Sequence, residues 1–351
     1  MALKQHLLQE KTQGNSNNEP HCTQFSAVEQ SVLRLSNEPF EYFDEQSVHA
    51  ALTSEPCGYY GHMKERLKRI ALGQAELEMP PKQLFADPGS GGDCRVMPCI
   101  VRDGDQVLKT VKLIGTNARQ QIVPNQITVG KACVFHPVEN YISHIFEACL
   151  LSSARTAICA VLAIDLLGRS RQQLTLIGAG RVGFYTGLYA AALGFTRHIT
   201  VHDVDQLRAE ACAEALRLRF PAITVSVSGR NELKDTGNLV LSTTSRKPVY
   251  GINDFKAELV ISLGADTDYQ RELDDLWASS TPIFVDTKDS ARYGDLRSWL
   301  QSGLISKNEL TDLFTLISSP NVPSDEKIRV FVSTGTALFD NLTISYLLRN
   351  N

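Results

Sequence analysis

Alternation of apolar and polar positions divides the first half of the chain into two regions. Residues 26–75 carry mixed helical signals, with one apolar helix face over Met63–Leu72. Residues 82–149 switch to short strand-like runs separated by glycine-rich and aspartate-rich turns. The pattern of this second region predicts an antiparallel sheet, with strands at 94–100, 107–114, 131–136 and 141–146.

From Ser152 onward, apolar strands and helical runs alternate. A long apolar helix over Ala157–Leu167 precedes the first strand, and Val330–Leu348 predicts a strand, a glycine turn and a helix. Such alternation is typical of a doubly wound parallel sheet. The sequence therefore predicts an α/β protein in which a Rossmann sheet follows a smaller α+β domain. The predicted parallel strands lie at 174–177, 199–201, 224–227, 239–242, 259–263 and 283–285, with a helix at 208–220.

A glycine-rich segment follows the first strand of the predicted parallel sheet. Gly178, Gly180 and Gly183 form the pattern G-x-G-x-x-G ahead of a helix over Phe184–Leu193. The first glycine permits a tight turn, the second admits a pyrophosphate, and the third lets the helix pack against the strand. Asp203 lies 20 residues beyond Gly183, where a carboxylate accepts the ribose hydroxyls of NAD. The order of strand, glycines, helix, strand and acid predicts an NAD site and disfavours NADP.

The position of this motif in the middle of the chain sets the predicted domain boundaries. We predict a flexible tail at residues 1–25 and an NAD-binding domain at 153–319. Residues 26–152 form the first domain, which the carboxyl-terminal segment 320–351 is predicted to rejoin.

Composition and charge exclude several classes of protein. The net charge of −4 gives no general attraction to nucleic acid or to an anionic membrane. No apolar run approaches the ~20 residues that span a bilayer, and the polar residues 1–19 lack the apolar core of a signal peptide. The eight cysteines form no C-x-x-C pair, which is typical of reduced thiols. We predict a cytoplasmic protein with no metal, no nucleic-acid partner and no membrane association.

Arg155 and Thr156 lie next to the predicted start of the apolar helix before the glycine motif. A helix start attracts anions, and an arginine there adds a bidentate phosphate donor. The alternative is a solvated arginine beside Ser152 and Ser153 as helix caps. The neighbouring dinucleotide motif favours phosphate binding.

Two further pairs of charged residues are candidates for chemistry. Lys109 and Lys112 are three residues apart on one predicted strand, so they point to opposite faces, and periodicity does not select the one that faces a cleft. Asp266 follows the strand 259–263, where ligands bind in open α/β sheets, and could act as a general base or steer water. Asp268 is a near rival, and either aspartate could instead cap the following helix.

Several separated motifs stand in one order along residues 79–345. They are Met97-Pro98 ahead of Lys112, Ser152–Ala157, Gly178–Gly180, Gly264–Asp266 with Arg271–Leu273, and Ser333–Ala337 with Asp340. Together they resemble the ornithine cyclodeaminase/μ-crystallin family. Within it, Glu147–Ser153 is most similar to a branch of siderophore and antibiotic pathways that releases L-2,3-diaminopropionate.

The resemblance implies an NAD-dependent amino-acid dehydrogenase that acts on a C–N bond. In that branch, N-(1-amino-1-carboxyl-2-ethyl)-glutamate is oxidised to an imine, which water hydrolyses to diaminopropionate and 2-oxoglutarate. Ornithine or lysine cyclodeamination is an alternative, although cyclodeaminases carry a lysine where this chain has Gln270. Reduction of a ketimine or imino acid is a second alternative, and a non-enzymatic NAD-binding protein is a third.

The resemblance also implies roles for individual residues. Lys112 matches the family's active-site lysine, and Lys82 stands where many members carry a carboxylate-binding arginine. Asp266 matches the catalytic acid, although in the diaminopropionate branch Asp268 is the alternative. Arg95 and Arg119 are further candidates for contacts with a multiply charged substrate. The first domain is expected to bind the amino-acid substrate and to form a homodimer through its sheet. The predicted cofactor-binding residues are Arg155, Thr156, Gly178, Ala179, Gly180, Arg181, Val182, Gly183, Asp203, Ser242, Thr243, Thr244, Leu263, Gly264 and Gly335.

Overall fold

A computed structural model describes residues 25–34, 38–117, 121, 123, 127–319 and 327–349. The chain divides into two compact units, Met1–Pro39 and Phe40–Asn351. In the first unit, helix α1 (Ala27–Leu33) begins with a capping box. The Ser26 Oγ accepts from the Glu29 N–H at 3.1 Å, and the Glu29 carboxylate accepts from the Ser26 N–H at 2.7 Å. The predicted tail 1–25 lies outside the described residues except for Phe25.

The second unit begins with a mainly antiparallel sheet of seven strands. Its order is β1-β7-β6-β5-β4-β2, with β3 also paired to β4 and with β1 parallel to β7. The predicted antiparallel sheet is confirmed, and helix α3 contains most of the predicted helix over Met63–Leu72. The bounds are β1 Glu41–Phe43, α2 Glu45–Ser54, α3 Pro56–Ala71, β2 Glu76–Glu78, β3 Gln83–Asp87, β4 Gly92–Asp103, β5 Gln106–Thr116, β6 Thr128–Phe135 and β7 Ile142–Glu147.

The two faces of this sheet differ in burial. Thr110, Lys112 and Ile114 of β5 point to the buried face, whereas Lys109 and Leu113 lie on the opposite face. Burial therefore selects Lys112 from the two candidate lysines. The opposite face is apolar but only partly buried, and includes Val96, Pro98, Ile100, Val111, Leu113, Cys133, Phe135 and Ile145.

The second sheet has eight parallel strands, which confirms the predicted α/β fold. Its order is β10-β9-β8-β11-β12-β15-β13-β14. The first crossovers run from β8 outward to β10, and the chain then returns to β11 on the other side of β8. Ligands bind at the carboxyl ends of strands beside such a switch point. The strands are β8 Gln173–Ile177, β9 His198–His202, β10 Thr224–Val227, β11 Thr236–Leu241, β12 Ala257–Ser262, β13 Ile283–Val285, β14 Leu310–Asp312 and β15 Arg329–Val332.

Helices cover the parallel sheet and connect it to the antiparallel one. Helix α4 packs against α5 and α10, and α10 also packs against β4 and β5. The bounds are α4 Ala148–Leu167, α5 Arg181–Ala192, α6 Gln206–Arg219, α7 Leu276–Ser280, α8 Gly294–Gln301, α9 Leu313–Ser318 and α10 Ala337–Leu347.

Although α10 of the carboxyl-terminal segment 320–351 packs against β4 and β5 of the antiparallel sheet, strand β15 of the same segment lies in the parallel sheet. It pairs with both β12 and β13, so that Phe331 stands between Ile261 and Phe284. All four residues of β15 are buried, as expected for a central strand covered on both faces. The carboxyl-terminal segment is thus shared between the two sheets.

Helix α4 contains no unbroken apolar run of spanning length, because Arg155 and Asp165 interrupt its 20 residues. Among the described residues it is nevertheless the one helix that is long and apolar enough to cross a membrane by length and composition alone. However, 67% of the most apolar 18-residue stretch of this helix is buried inside the protein. Packing against α5 and α10 accounts for this apolar character, because a helix in a core carries nonpolar residues all round.

Candidate active site

The glycine loop after β8 has the conformation that a dinucleotide requires. Gly178 has φ of +106°, and a Cβ on it would lie 2.5 Å from the Ser242 carbonyl oxygen. A Cβ on Gly183 would lie 2.1 Å from the Gly178 oxygen, so α5 packs closely on the strand. A Cβ on Gly180 would meet no atom within 4 Å. This open space adjoins the N-terminus of α5, whose free N–H groups favour an anion.

Asp203 follows β9 directly and lies beside the glycine loop. Its side chain is 8% exposed. One carboxylate oxygen accepts from the Ala179 N–H at 2.8 Å and the other from the Asp205 N–H at 3.0 Å. Each oxygen retains acceptor capacity for a ribose hydroxyl, whereas its charge opposes a 2′-phosphate. The loop and this carboxylate therefore fit NAD.

Other predicted cofactor residues lie at the carboxyl ends of β8, β11 and β12. Ser242, Thr243 and Thr244 follow β11, and Leu263 and Gly264 follow β12. Arg181 and Val182 begin α5, but the Arg181 Nη1 contacts the Cys149 Sγ at 2.5 Å.

Glu272, for which no separate role was predicted, joins two of these loops. This fully buried carboxylate accepts from the N–H groups of Thr243 at 2.6 Å and Gly264 at 2.8 Å. It also accepts from the Ser262 Oγ at 2.7 Å. The feature of the sequence that could have identified Glu272 as a functional residue is its position within the Arg271–Leu273 motif. Glu272 thus fixes the distance between the carboxyl ends of β11 and β12.

Lys112 and Arg155 share one buried carboxylate, that of Asp340. The Lys112 Nζ lies 2.7 Å from this carboxylate and 2.9 Å from the Ser152 Oγ. The Arg155 Nε donates to the same group at 2.9 Å. Burial and the nearby Arg155 charge lower the pKa of Lys112 to about 7, although Asp340 opposes them. One negative charge therefore faces two cations.

Asp340 is a site residue that sequence reasoning placed in a motif but not in the site. It lies in the first turn of α10, which is otherwise strongly apolar. A carboxylate on a buried apolar helix needs a cationic partner, and this was the signal available in the sequence.

Arg155 lies inside α4, which begins at Ala148, so it is not at a helix start as predicted. The anion-binding argument from a helix terminus therefore does not apply to it. The Thr156 Oγ1 donates to the Ser152 carbonyl within the same helix at 2.8 Å. A Cβ on Gly335, which has φ of +79°, would lie 2.8 Å from the Arg155 Nη1. Gly335 thus allows the backbone to approach the guanidinium closely.

Lys82 reaches the carboxyl ends of the parallel strands from the segment before β3. Its Nζ donates to the Thr334 carbonyl at 3.0 Å and lies 3.9 Å from the centre of the Tyr293 ring. Burial lowers the pKa of Lys82 to about 8. A small pocket opens here, lined by residues of 79–82 and 334–337 together with Tyr293. Lys82 therefore adds a cation to the wall of this pocket.

The structure brings Asp266, and not Asp268, into the charged cluster. The Asp266 Oδ2 accepts from the Arg95 Nη1 at 2.5 Å. The Asp268 side chain is 59% exposed and pairs with Arg297. Burial raises the pKa of Asp266, but Arg95 and Lys82 outweigh this effect and lower it below the ordinary value. Asp266 is consequently ionised at neutral pH.

Arg95, which is predicted to contact the substrate, contacts two carboxylates of the protein itself. Its Nε and Nη2 donate to the two oxygens of Asp93 at 2.7 and 3.1 Å, and its Nη1 donates to Asp266. The residue is 7% exposed. Its guanidinium is thus already engaged by two carboxylates. Arg119 lies outside the described residues.

The described cysteines are free, and the described residues include no group of three or more His, Cys, Asp or Glu side chains placed to hold a metal.

A wider polar groove lies over the strands β8–β10, lined in part by Thr175, Thr200 and Ser226. It contains none of the predicted site residues, so the chemistry described above lies elsewhere.

Known proteins with similar sequences include Delta(1)-pyrroline-2-carboxylate reductases and a cyclodeaminase. The chain is 24% identical over 211 residues to a Delta(1)-pyrroline-2-carboxylate reductase of Bacillus cereus, covering 58% of this chain and 65% of that protein. It is 26% identical over 291 residues to an L-lysine cyclodeaminase of Streptomyces rapamycinicus, covering 80% and 82%. The match to the first relative thus spans just under two thirds of its length.

Solved structures share the fold over most of the chain. The Delta(1)-pyrroline-2-carboxylate reductase of Thermococcus litoralis, in complex with NADH and L-proline, superposes with a TM-score of 0.78 at 18% identity, covering 88% of this chain and 96% of that one. An archaeal alanine dehydrogenase dimer with bound NAD gives 0.77 at 20% identity, covering 89% and 95%. The model of the ornithine cyclodeaminase/mu-crystallin family matches residues 45–350. The chain therefore belongs to the ornithine cyclodeaminase/mu-crystallin family.

Proposed function

We propose that this protein is an NAD-dependent oxidoreductase that acts on the C–N bond of an amino acid. The observation that carries the proposal is the position of Asp266 and Arg155. Asp266 follows β12, and the guanidinium of Arg155 lies beside Gly335, which follows β15. Both strands end at the same edge of the sheet as β8, which carries the glycine loop. A cation for a carboxylate and an anion for a nitrogen thus lie beside a dinucleotide site.

The charged residues of the site have separate roles in this reaction. NAD, when bound, accepts a hydride from the carbon that carries the nitrogen. Lys82, Lys112 and Arg155 bind the substrate carboxylate and orient that carbon, because Asp340 neutralises only part of their charge. The ionised Asp266 accepts a hydrogen bond from the nitrogen and stabilises the positive charge that develops there during oxidation.

For the substrate, we propose N-(1-amino-1-carboxyl-2-ethyl)-glutamate. Oxidation of the glutamate-side C–N bond gives an imine, NADH and a proton, and water then releases L-2,3-diaminopropionate and 2-oxoglutarate. Two features support this choice, namely the similarity of Glu147–Ser153 to the diaminopropionate branch and the presence of Gln270 in place of the cyclodeaminase lysine. Such a reaction supplies a precursor of siderophores or antibiotics.

A substrate panel tests this proposal. The purified protein is incubated with NAD and the glutamate conjugate, L-ornithine or L-lysine, while NADH absorbance is followed and products are identified by mass. Diaminopropionate and 2-oxoglutarate with stoichiometric NADH support the proposal. Ammonia release without net NADH would instead identify a cyclodeaminase. NAD binding with no turnover of any substrate would leave a binding protein and overturn the proposed enzyme.

Imine reduction is the second candidate, and it is supported by the similarity to two Delta(1)-pyrroline-2-carboxylate reductases. Here the same residues act in the reverse direction, with NADH as hydride donor and a cyclic imino acid as acceptor. Consumption of NADH with Δ1-pyrroline-2-carboxylate, at a higher kcat/KM than that of the conjugate reaction, would replace the first candidate with this one.

We also propose a homodimer formed through the antiparallel sheet. Its outer face carries Val96, Val111 and Phe135 in a partly exposed apolar surface. Large apolar surfaces on one sheet face are typical of interfaces between subunits.

The free cysteines are in keeping with a reducing compartment, which supports a cytoplasmic location.

A further inference from the structure

The Asp266 carboxylate lies after β12 of the parallel sheet and is held in part by a residue of the antiparallel sheet. Arg95 comes from β4 of the antiparallel sheet, and its Nη1 donates to the Asp266 Oδ2 at 2.5 Å. Asp93, two residues earlier on β4, accepts from the Nε and Nη2 of the same guanidinium at 2.7 and 3.1 Å. The side chains of Asp93 and Arg95 are 6% and 8% exposed. Such a bidentate pair fixes the plane of the guanidinium and therefore the direction of its third donor.

Gln270 contacts the other oxygen of Asp266. The amide is oriented with its nitrogen towards the Asp266 Oδ1 at 3.0 Å and the Gly264 carbonyl at 3.1 Å, because the opposite orientation would place oxygen against these acceptors. Both hydrogens of the amide nitrogen are thereby used. Arg95 and Gln270 therefore hold one oxygen each of the same carboxylate.

The charges around Asp266 come from three elements. Arg95 on β4, Lys82 before β3 and Arg155 on α4 all favour its ionised form, whereas burial opposes it. Arg95 is the cation in direct contact. Lys82 reaches the backbone carbonyl of Asp266 at 3.4 Å rather than its carboxylate. Arg95 is thus the residue whose removal most affects the charge of Asp266.

We propose that Asp93, Arg95 and Gln270 are positioning residues that keep the Asp266 carboxylate ionised and fixed in orientation. Arg95 supplies the positive charge, and Asp93 fixes the orientation of the Arg95 guanidinium. Gln270 prevents rotation about the last side-chain bond of Asp266. The remaining lone pairs of Asp266 then face the substrate nitrogen. This inference rests on the proposed function for the role of Asp266, but the charge and orientation of that carboxylate are measurable without turnover.

The first experiment follows the titration of Asp266 directly. Carboxyl groups of ¹³C-labelled aspartate are followed by NMR between pH 2 and 8, with Asp266→Asn identifying the resonance. We expect Arg95→Gln to raise the pKa of Asp266 by about 1–2 units, as expected for loss of a contacting cation. Asp93→Asn should raise it less, and Arg95→Lys should restore most of the wild-type value. Arg297→Gln is the matched control, because the partly exposed Arg297 pairs with Asp268 rather than Asp266, and it should leave the pKa of Asp266 unchanged.

The second experiment measures turnover with the best substrate of the panel. In the pH profile of kcat/KM, we expect Arg95→Gln to shift the acidic limb to higher pH. We also expect this variant to lower kcat about tenfold with KM changed less than twofold, the pattern of a group that acts in the transition state. Gln270→Leu should lower kcat and move the limb to higher pH by less than Arg95→Gln does, because it removes one hydrogen bond to the ionised carboxylate. A higher KM with an unmoved limb would overturn the inference and return Arg95 to substrate binding.

The two experiments separate the inference from the proposed function. A shifted Asp266 pKa, together with turnover that Asp266→Asn does not change, would overturn the catalytic role of Asp266 and leave the positioning intact. An unshifted pKa in folded Arg95→Gln would overturn the positioning. If Arg95→Gln fails to fold, Asp93→Asn and Gln270→Leu carry the same test, because each retains the guanidinium.

Discussion

The Lys112 Nζ lies 2.7 Å from the Asp340 carboxylate, which also accepts a hydrogen bond from the Arg155 Nε at 2.9 Å. Lys112 and Asp340 are each 2% exposed. Two buried cations with one counter-charge leave an excess of positive charge in a region that water does not screen. A substrate carboxylate would neutralise this excess, so the pair prepares the site for an anionic ligand.

Replacement of Asp340 by asparagine tests this relationship. Loss of the negative charge leaves Lys112 and Arg155 unpaired, and removing one partner of a buried pair costs roughly 3–5 kcal/mol. We expect a decrease of this size in the free energy of unfolding, measured with urea, together with a Lys112 pKa below its present value of about 7.

Asp165→Asn is the matched control for this change. Asp165 also pairs with two cations, Lys64 and Arg171, but these are 50% and 51% exposed. Because water screens such pairs, the variant should lose about 1 kcal/mol or less. Equal losses in the two variants would show that the buried cluster has no special energetic role.

Binding of a carboxylate ligand should weaken as the pH rises through neutrality. Burial lowers the pKa values of Lys112 and Lys82 to about 7 and about 8, so both lysines are charged below pH 7 and lose their protons at higher pH. A ligand such as 2-oxoglutarate stays anionic over this range and loses its partners. We expect its Kd to increase up to about tenfold per pH unit for each proton lost, by linkage.

Calorimetry between pH 6 and 9.5 measures this dependence. Lys112→Met should remove the step with the lower pKa and weaken binding at pH 6. Lys109→Met is the control, because Lys109 lies on the opposite face of β5 and contacts Pro137 and Asn140. A Kd that stays constant across this range in the wild-type protein would contradict the assignment of the two lysines.

Gly180→Ala should weaken NAD binding without affecting the fold. An added Cβ would meet no protein atom within 4 Å, and the backbone φ of −74° suits alanine. The methyl group would occupy the space through which a pyrophosphate reaches the backbone. We expect the Kd for NAD to rise at least about tenfold, while the free energy of unfolding changes by about 1 kcal/mol or less.

Gly61→Ala provides the matched control, since its Cβ also meets no atom within 4 Å but the residue lies in α3. It should leave the Kd for NAD unchanged. Fluorescence titration with NADH measures both variants. Equal NAD affinity in Gly180→Ala and wild type would place the dinucleotide elsewhere.

Asp203→Ser should relax the preference for NAD over NADP. The Asp203 carboxylate repels a 2′-phosphate, and Arg208, whose guanidinium is 3.9 Å from it, becomes available when it is removed. We expect the ratio of kcat/KM for NAD to that for NADP to fall by about a hundredfold, equivalent to ~3 kcal/mol. An unchanged ratio would show that another group excludes the phosphate.

Leu113→Lys should disrupt the proposed homodimer. Leu113 is 46% exposed on the apolar outer face of the antiparallel sheet, and a buried unpaired lysine at an interface is costly. Sedimentation should show a dimer for the wild type and a monomer for the variant at micromolar concentration. Val204→Lys is the control, since Val204 is 99% exposed after β9. A wild-type monomer would contradict the proposal.

The sequence by itself determined the elements whose signals are local. Glycine spacing and the following acid predicted the loop after β8, because backbone freedom at Gly178 and close packing at Gly183 need the absence of a side chain. Period-two alternation predicted the antiparallel strands, since one face of that sheet is buried. These patterns concern neighbours along the chain, so no knowledge of distant contacts was needed.

Tertiary structure decided which charged residues meet. Lys112 and Lys109 have the same local pattern, and only the packing of β5 against the helices distinguishes them. Asp266 and Asp268 are two residues apart, yet only Asp266 meets Arg95, which is 171 positions away in sequence. Strand β15 joins the parallel sheet for a similar reason, because its partners lie far earlier in the chain. Electrostatic pairing and sheet order depend on distances in space, and local sequence carries no direct record of them.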